Sequence, residues 1–203
     1  MKISIHPLFL LLLLSIVLYG DIAFYTVIIV SLLFHELGHF IAAKLVGAHI
    51  TQCKIVPYGG EMTIKDEMRL SYNQLIIIAL GGPLATCIGI FVSVFLPPML
   101  SERLIEVQLF ILAINLIPIW PLDGGRIFCY SLLKWRPFSK IFEFYLTASF
   151  YLLTVTIIVL LYLLPQTLSL AIISLFLWSK VIGDWKYRKY RSAFEKIVMK
   201  RLT

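Results

Sequence analysis

His35, Glu36 and His39 lie in the stretch His35-Glu36-Leu37-Gly38-His39, and their types and spacing can do hydrolytic chemistry. Two histidines at i and i+4 share one helix face, so both imidazoles can reach a single ion. The glutamate beside the first can take a proton from a metal-activated water as general base, which is the arrangement of zinc hydrolases. The flanks, FYTVIIVSLLF before and FIAAKLV after, make Ile22–Val46 a membrane-spanning helix. An ionisable group at that depth costs roughly 3 kcal/mol on insertion scales, so a partner must offset it, and a divalent metal is that partner. The bland alternative is a pair of hydrogen-bonded interhelix histidines with Glu36 neutral; it explains neither the spacing nor a second motif further along.

That second motif is Asn115-Leu-Ile-Pro118-Ile-Trp120-Pro121-Leu122-Asp123-Gly124-Gly125. Pro118 and Pro121 must break a helix, so Asp123 stands on irregular backbone, which membrane depth permits only inside protein or beside a wet cavity. An Asp before Gly-Gly is ordinarily a turn or cap residue. Beside an HExxH lacking a third ligand, it becomes the candidate third ligand. Gly81-Gly82-Pro83 removes side-chain bulk where the HELGH helix is expected to pack. His6, His49 and Glu61 read as surface residues without a ligand role.

Composition sets the class. With 60% hydrophobic residues and a mean hydropathy of +0.93, the 203-residue chain is a polytopic membrane protein. Cys53, Cys87 and Cys129 show no CxxC spacing and are read as reduced. The net charge of +7 resembles a nucleic-acid signal until the charges are placed.

The expected architecture is an all-α polytopic membrane protein with six transmembrane helices and a small interfacial β-hairpin. The spans are Ile3–Tyr19, Ile22–Val46, Tyr72–Leu96, Leu104–Trp120, Ile141–Leu164 and Leu168–Ile182. Lys54–Ile64 forms two short strands about a Tyr-Gly-Gly turn, offering an edge for an extended substrate or serving as a connector. Gly125–Lys140 is an interfacial helix or connector with a charged side. Residues 1–183 make the six-span domain, and 184–203 a basic juxtamembrane tail suited to anionic lipid rather than nucleic acid. With a cytoplasmic N-terminus, seventeen of the 18 Lys and Arg fall on the cytoplasmic side and only Arg103 opposes them. Both termini are therefore expected in the cytoplasm.

HELGH on the second span, the PYGGEM hairpin, GGP in the third span and NLIPIWPLDGG after the fourth resemble the site-2 protease family of intramembrane zinc metalloproteases. HPLF, PYGG and IPIWPLDGG look most like its bacterial sporulation branch. The resemblance implies one catalytic zinc ion on His35, His39 and Asp123, Glu36 as general base, and Asn115 as oxyanion stabiliser. It also implies a membrane-associated protein substrate such as a sporulation sigma-factor precursor, small membrane inhibitor proteins, and the membrane around the forespore. Sporulation members usually carry a cytoplasmic nucleotide-sensing CBS domain after the last span. Only about twenty residues follow Ile182, too few for one, so ATP regulation is not expected. The rivals are a catalytically inactive membrane scaffold and a metal transporter; the latter should offer ligands along a path.

Overall fold

The computed structural model describes residues 2–5, 22–56, 59–65, 67–136, 139–163, 170–171 and 173–187. Lys2–Ile5 forms β1, Ile22–Leu45 α1, Ile50–Val56 β2 and Gly59–Ile64 β3. Then follow α2 (Tyr72–Ser93), α3 (Pro98–Asn115), α4 (Asp123–Trp135) and α5 (Ser139–Tyr162), and residues 173–187 are helical.

Three described helices are long and apolar enough to cross a membrane: Ala23–Leu45, Tyr72–Ser93 and Lys140–Tyr162. Their outward faces carry large exposed apolar side chains, among them Leu37 and Ile41 on α1, Ile88 and Phe91 on α2, and Val155 and Ile158 on α5. Water would not tolerate a surface this continuous in apolar groups, whereas lipid suits it. This is a membrane protein.

Two sequence expectations change. A span cannot begin at Ile3, because Lys2–Ile5 is a strand paired parallel to β2, with Ile3 opposite Cys53. The remainder of that expected first span lies outside the described residues. The hairpin is consequently a three-stranded sheet in the order β1-β2-β3, with β2 and β3 antiparallel and Cys53 opposite Met62. The fourth apolar segment is also shifted: α3 starts at Pro98 and ends at Asn115, before Pro118 and Pro121. It carries Glu102, Arg103 and Glu106, and it is not among the three helices apolar enough to span. Residues 168, 169 and 172 of the expected sixth span lie outside the described residues, as do Leu164 of the fifth, the turn between them and the tail from 188.

Chain turns are locally encoded. At the end of α1, Gly47 adopts φ 77°, a left-handed conformation that costs glycine nothing, and the Ala48 amide donates back to Ala43. Ser71 and Gln74 form a reciprocal capping box at the start of α2, and the Gln74 amide also donates to the Val46 carbonyl at 3.1 Å. The C-terminal end of α1 and the N-terminal end of α2 are thereby tied together.

These two helices pack at backbone distance. A Cβ on Gly81 would lie 2.5 Å from the Gly38 carbonyl oxygen and 2.7 Å from the Ala42 Cβ, so glycine is required at this crossing. α2 continues through Pro83 without interruption. α4, expected at the interface, instead packs against α2 and puts Cys129, Tyr130 and Leu133 into the core with Trp120, Phe142 and Leu146. Its first turn can fold in because Gly124 and Gly125 press against the Leu116 and Ile119 carbonyls, where any Cβ would overlap them.

Candidate active site

α1 presents His35 and His39 one turn apart on the face toward α2, and both are buried, 1% and 6% exposed. Asp123 opens α4 and is 6% exposed. Its Oδ2 lies 3.0 Å from His35 Nε2 and 3.1 Å from His39 Nε2, and the two Nε2 atoms are 3.2 Å apart. Residues 88 and 84 positions apart in sequence thus meet at one point.

The outer nitrogens settle what that point can hold. Thr86 donates its hydroxyl proton to the Gly82 carbonyl at 3.1 Å, so its oxygen accepts from His35 Nδ1, 2.8 Å away. His39 Nδ1 lies 2.8 Å from the Ile78 carbonyl oxygen, a contact that requires a proton on that nitrogen. The Gly82 amide nitrogen, at 3.2 Å from the same atom, is the more distant partner. With both protons assigned to Nδ1 by this network, both neutral rings aim an Nε2 lone pair inward. Two lone pairs and a carboxylate oxygen repel one another without a cation. A tetrahedral zinc with ligands at about 2.1 Å sets them roughly 3.4 Å apart, close to the spacings here. His35, His39 and Asp123 are positioned to bind a metal ion, and their N and O donors suit zinc.

Glycines make this approach feasible. A Cβ on Gly82 would fall on the two Nε2 atoms, so the GGP segment both packs α1 against α2 and clears the metal position.

Glu36, half-buried, points to the same cavity, and its carboxylate accepts from the Gly60 amide of β3. A Cβ on Gly60 would lie 2.6 Å from Glu36 Oε2, so any larger residue there would displace the carboxylate from this position. Asn115, at the end of α3, lines the cavity while donating from Nδ2 to the Ile111 carbonyl at 3.0 Å. The remaining walls include Met62 of β3, Ile78 of α2, Pro121 and Arg126.

All five residues singled out by sequence, His35, Glu36, His39, Asn115 and Asp123, line this one cavity. His49 is exposed and contacts only the Gly47 carbonyl, consistent with its surface reading. His6 lies outside the described residues, and the Glu61 side chain is not among those described. The three cysteines are free thiols. Sequence reasoning missed Thr86, Gly60 and Arg126. Arg126 alone had a usable signal, three residues after Asp123 on the same helix face.

A profile of Peptidase family M50 matches residues 23–104, which contain HELGH, strands β2 and β3 and the GGP segment. The solved structure of the site-2 protease from Methanocaldococcus jannaschii superposes with a TM-score of 0.69 at 26% identity, covering 91% of this chain and 92% of that one. The chain is thus similar to the site-2 proteases and, over residues 23–104, to Peptidase family M50. Stage IV sporulation protein FB of Bacillus subtilis (strain 168) is 25% identical to it over 196 residues, 94% of this chain and 68% of that protein. A zinc metalloprotease of Methanocaldococcus jannaschii is 28% identical over 187 residues, 87% of this chain and 53% of that protein. The chain therefore spans about two thirds of one relative and about half of the other. These similarities support zinc at the metal position and an intramembrane zinc metalloendopeptidase as the reaction class.

Proposed function

We propose that this site-2 protease homologue hydrolyses a peptide bond of a membrane-associated precursor, with His35, His39 and Asp123 holding zinc, Glu36 as general base and Asn115 stabilising the oxyanion. The carrying observation is the convergence of two inward imidazole lone pairs and one carboxylate oxygen in a cavity that Glu36 also lines. Bound zinc supplies Lewis acidity, making water more acidic and polarising the scissile carbonyl. Glu36, held by the Gly60 amide, takes the proton of the attacking water and passes it to the departing amine. The second Nδ2 hydrogen of Asn115, not committed to Ile111, is available to the developing oxyanion.

β3 is an outer strand of the sheet, with Gly60 and Met62 on the cavity wall. An extended substrate pairing along it would carry its carbonyl past Glu36. The positive-charge distribution supports cytoplasmic termini, and the pairing of β1 with β2 supports a common side for residues 2–5 and the sheet. By resemblance to the sporulation branch we read a sigma-factor precursor as substrate, small membrane inhibitor proteins as regulators and the membrane around a forespore as the location; the similarity to a sporulation protein supports that branch. The basic residues of 184–203 are read as a juxtamembrane tail suited to anionic lipid.

A metal transporter would place ligands along a path, whereas the described residues contain a single group of three or more ligands. The test is cleavage of a co-expressed membrane-tethered substrate by wild type and Glu36→Gln at matched zinc content. Cleavage lost in the variant while zinc is retained establishes the base; equal cleavage by both discards it.

A further inference from the structure

Arg126 lies one helical turn beyond Asp123 on α4, about 4.5 Å along the axis, and side chains on a helix incline toward its N-terminus. The residue is half-buried and lines the metal cavity. Its guanidinium stands 6.0 Å from the centre of the Trp120 ring, a cation–π contact that orients the group without consuming an N–H. Trp120 is itself fixed, its backbone amide donating to Ser149 Oγ at 3.1 Å and its indole to Asp184 at 2.7 Å. Among the described residues, Arg126 makes no hydrogen bond or ion pair. Asp123, Glu36 and Glu67 act on its charge through space but take none of its N–H donors; Asp123 Oδ2 meets the two imidazoles, Glu36 the Gly60 amide and Glu67 the Tyr130 hydroxyl. A guanidinium on the cavity wall with its donors unspent can receive an anion that enters the cavity.

We propose that Arg126 is a specificity residue that binds a side-chain carboxylate of the substrate within two residues of the scissile bond. This rests on the peptidase reading of the same cavity. An extended chain advances roughly 3.3 Å per residue, so a substrate whose carbonyl lies at the ligand cluster places a neighbouring side chain one turn away, where Arg126 stands. The planar fork of donors matches a carboxylate in bidentate fashion. The developing oxyanion, by contrast, belongs at the metal ligands themselves.

The test uses the full chain in detergent micelles, loaded with zinc, and a proteome-derived peptide library whose cleaved products are sequenced. Wild type should favour Asp or Glu over Asn or Gln at one position near the cut by about ten-fold or more. Arg126→Gln should lose that preference, Arg126→Lys should keep part of it, and Arg126→Glu should shift the position toward Lys and Arg. Retention of acid preference by the Lys variant separates charge recognition from a general packing role. A wild-type profile shared by Arg126→Gln, or one without acid preference, overturns the proposal alone. A zinc-loaded wild type that cleaves nothing beyond Glu36→Gln overturns the peptidase reading and this inference together.

Discussion

The indole Nε1 of Trp120 donates to the Asp184 carboxylate at 2.7 Å, joining the loop that aims Asp123 to the last described helix, 64 residues away. The same loop is held from α5, where Tyr145 donates its hydroxyl to the Pro118 carbonyl at 2.7 Å and Ser149 accepts from the Trp120 amide. Asp123 therefore owes its position to elements far from it in sequence. Removing the charge with Asp184→Asn should weaken a charge-assisted bond and lower unfolding stability by about 1–3 kcal/mol. Zinc affinity should fall with it, since loop and ligand move together. Thermal unfolding in micelles and zinc titration against a competing chelator check both.

Thr86 acts on the metal position through His35. Thr86→Val keeps the shape of the side chain but removes the oxygen that accepts from His35 Nδ1. Loss of such an outer partner typically costs about 10- to 100-fold in metal affinity. Thr86→Ser should retain most of the affinity, which chelator competition will measure.

Gly82→Ala runs against helix propensity. Alanine is favoured over glycine in a helix interior by about 1 kcal/mol, so a freely exposed position would be stabilised. Here the added Cβ falls on both Nε2 atoms, and the expected result is loss of zinc and of cleavage. Zinc content per chain after purification decides the matter; full occupancy would contradict the packing described.

Cys53, on β2, reports on the sheet and on Glu36 together. Burial, and secondarily the Glu36 carboxylate, pushes its thiol above the ordinary cysteine range. Its thiolate should therefore appear only at higher pH than that of an unperturbed thiol. In a Cys87→Ala, Cys129→Ala background, maleimide labelling should be slow at neutral pH and accelerate into alkaline solution. Glu36→Gln should move that rise to lower pH, because it removes the negative charge. A labelling profile matching a free thiol would place β2 away from the site.

Much of the site was legible because its chemistry is periodic or composed of rare combinations. Histidines at i and i+4 share a face whatever surrounds the helix, and a glutamate within an apolar span demands a partner. Pro118, Pro121 and the following Gly-Gly announced an interrupted backbone at Asp123. GGP announced a close helix crossing, which Gly38, Ala42 and Gly81 make. Less was legible where an element's role depends on its neighbour. Lys2–Ile5 is apolar enough to continue into the following run, and only pairing with β2 makes it a strand. Arg126 belongs to a segment with an interfacial composition, yet the glycines before it let α4 pack into the fold and put that arginine on the cavity wall.

The sequence by itself determined which groups can bind metal and move a proton, because ligand type and helical spacing are local properties. The tertiary structure decided that Asp123 meets the two histidines, that Thr86 and the Ile78 carbonyl hold their protons outward, and that Gly60 of the sheet reaches Glu36. Those contacts join residues between 24 and 88 positions apart, and no local pattern fixes them. They follow from how closely glycine-bearing backbones can approach once the helices are packed.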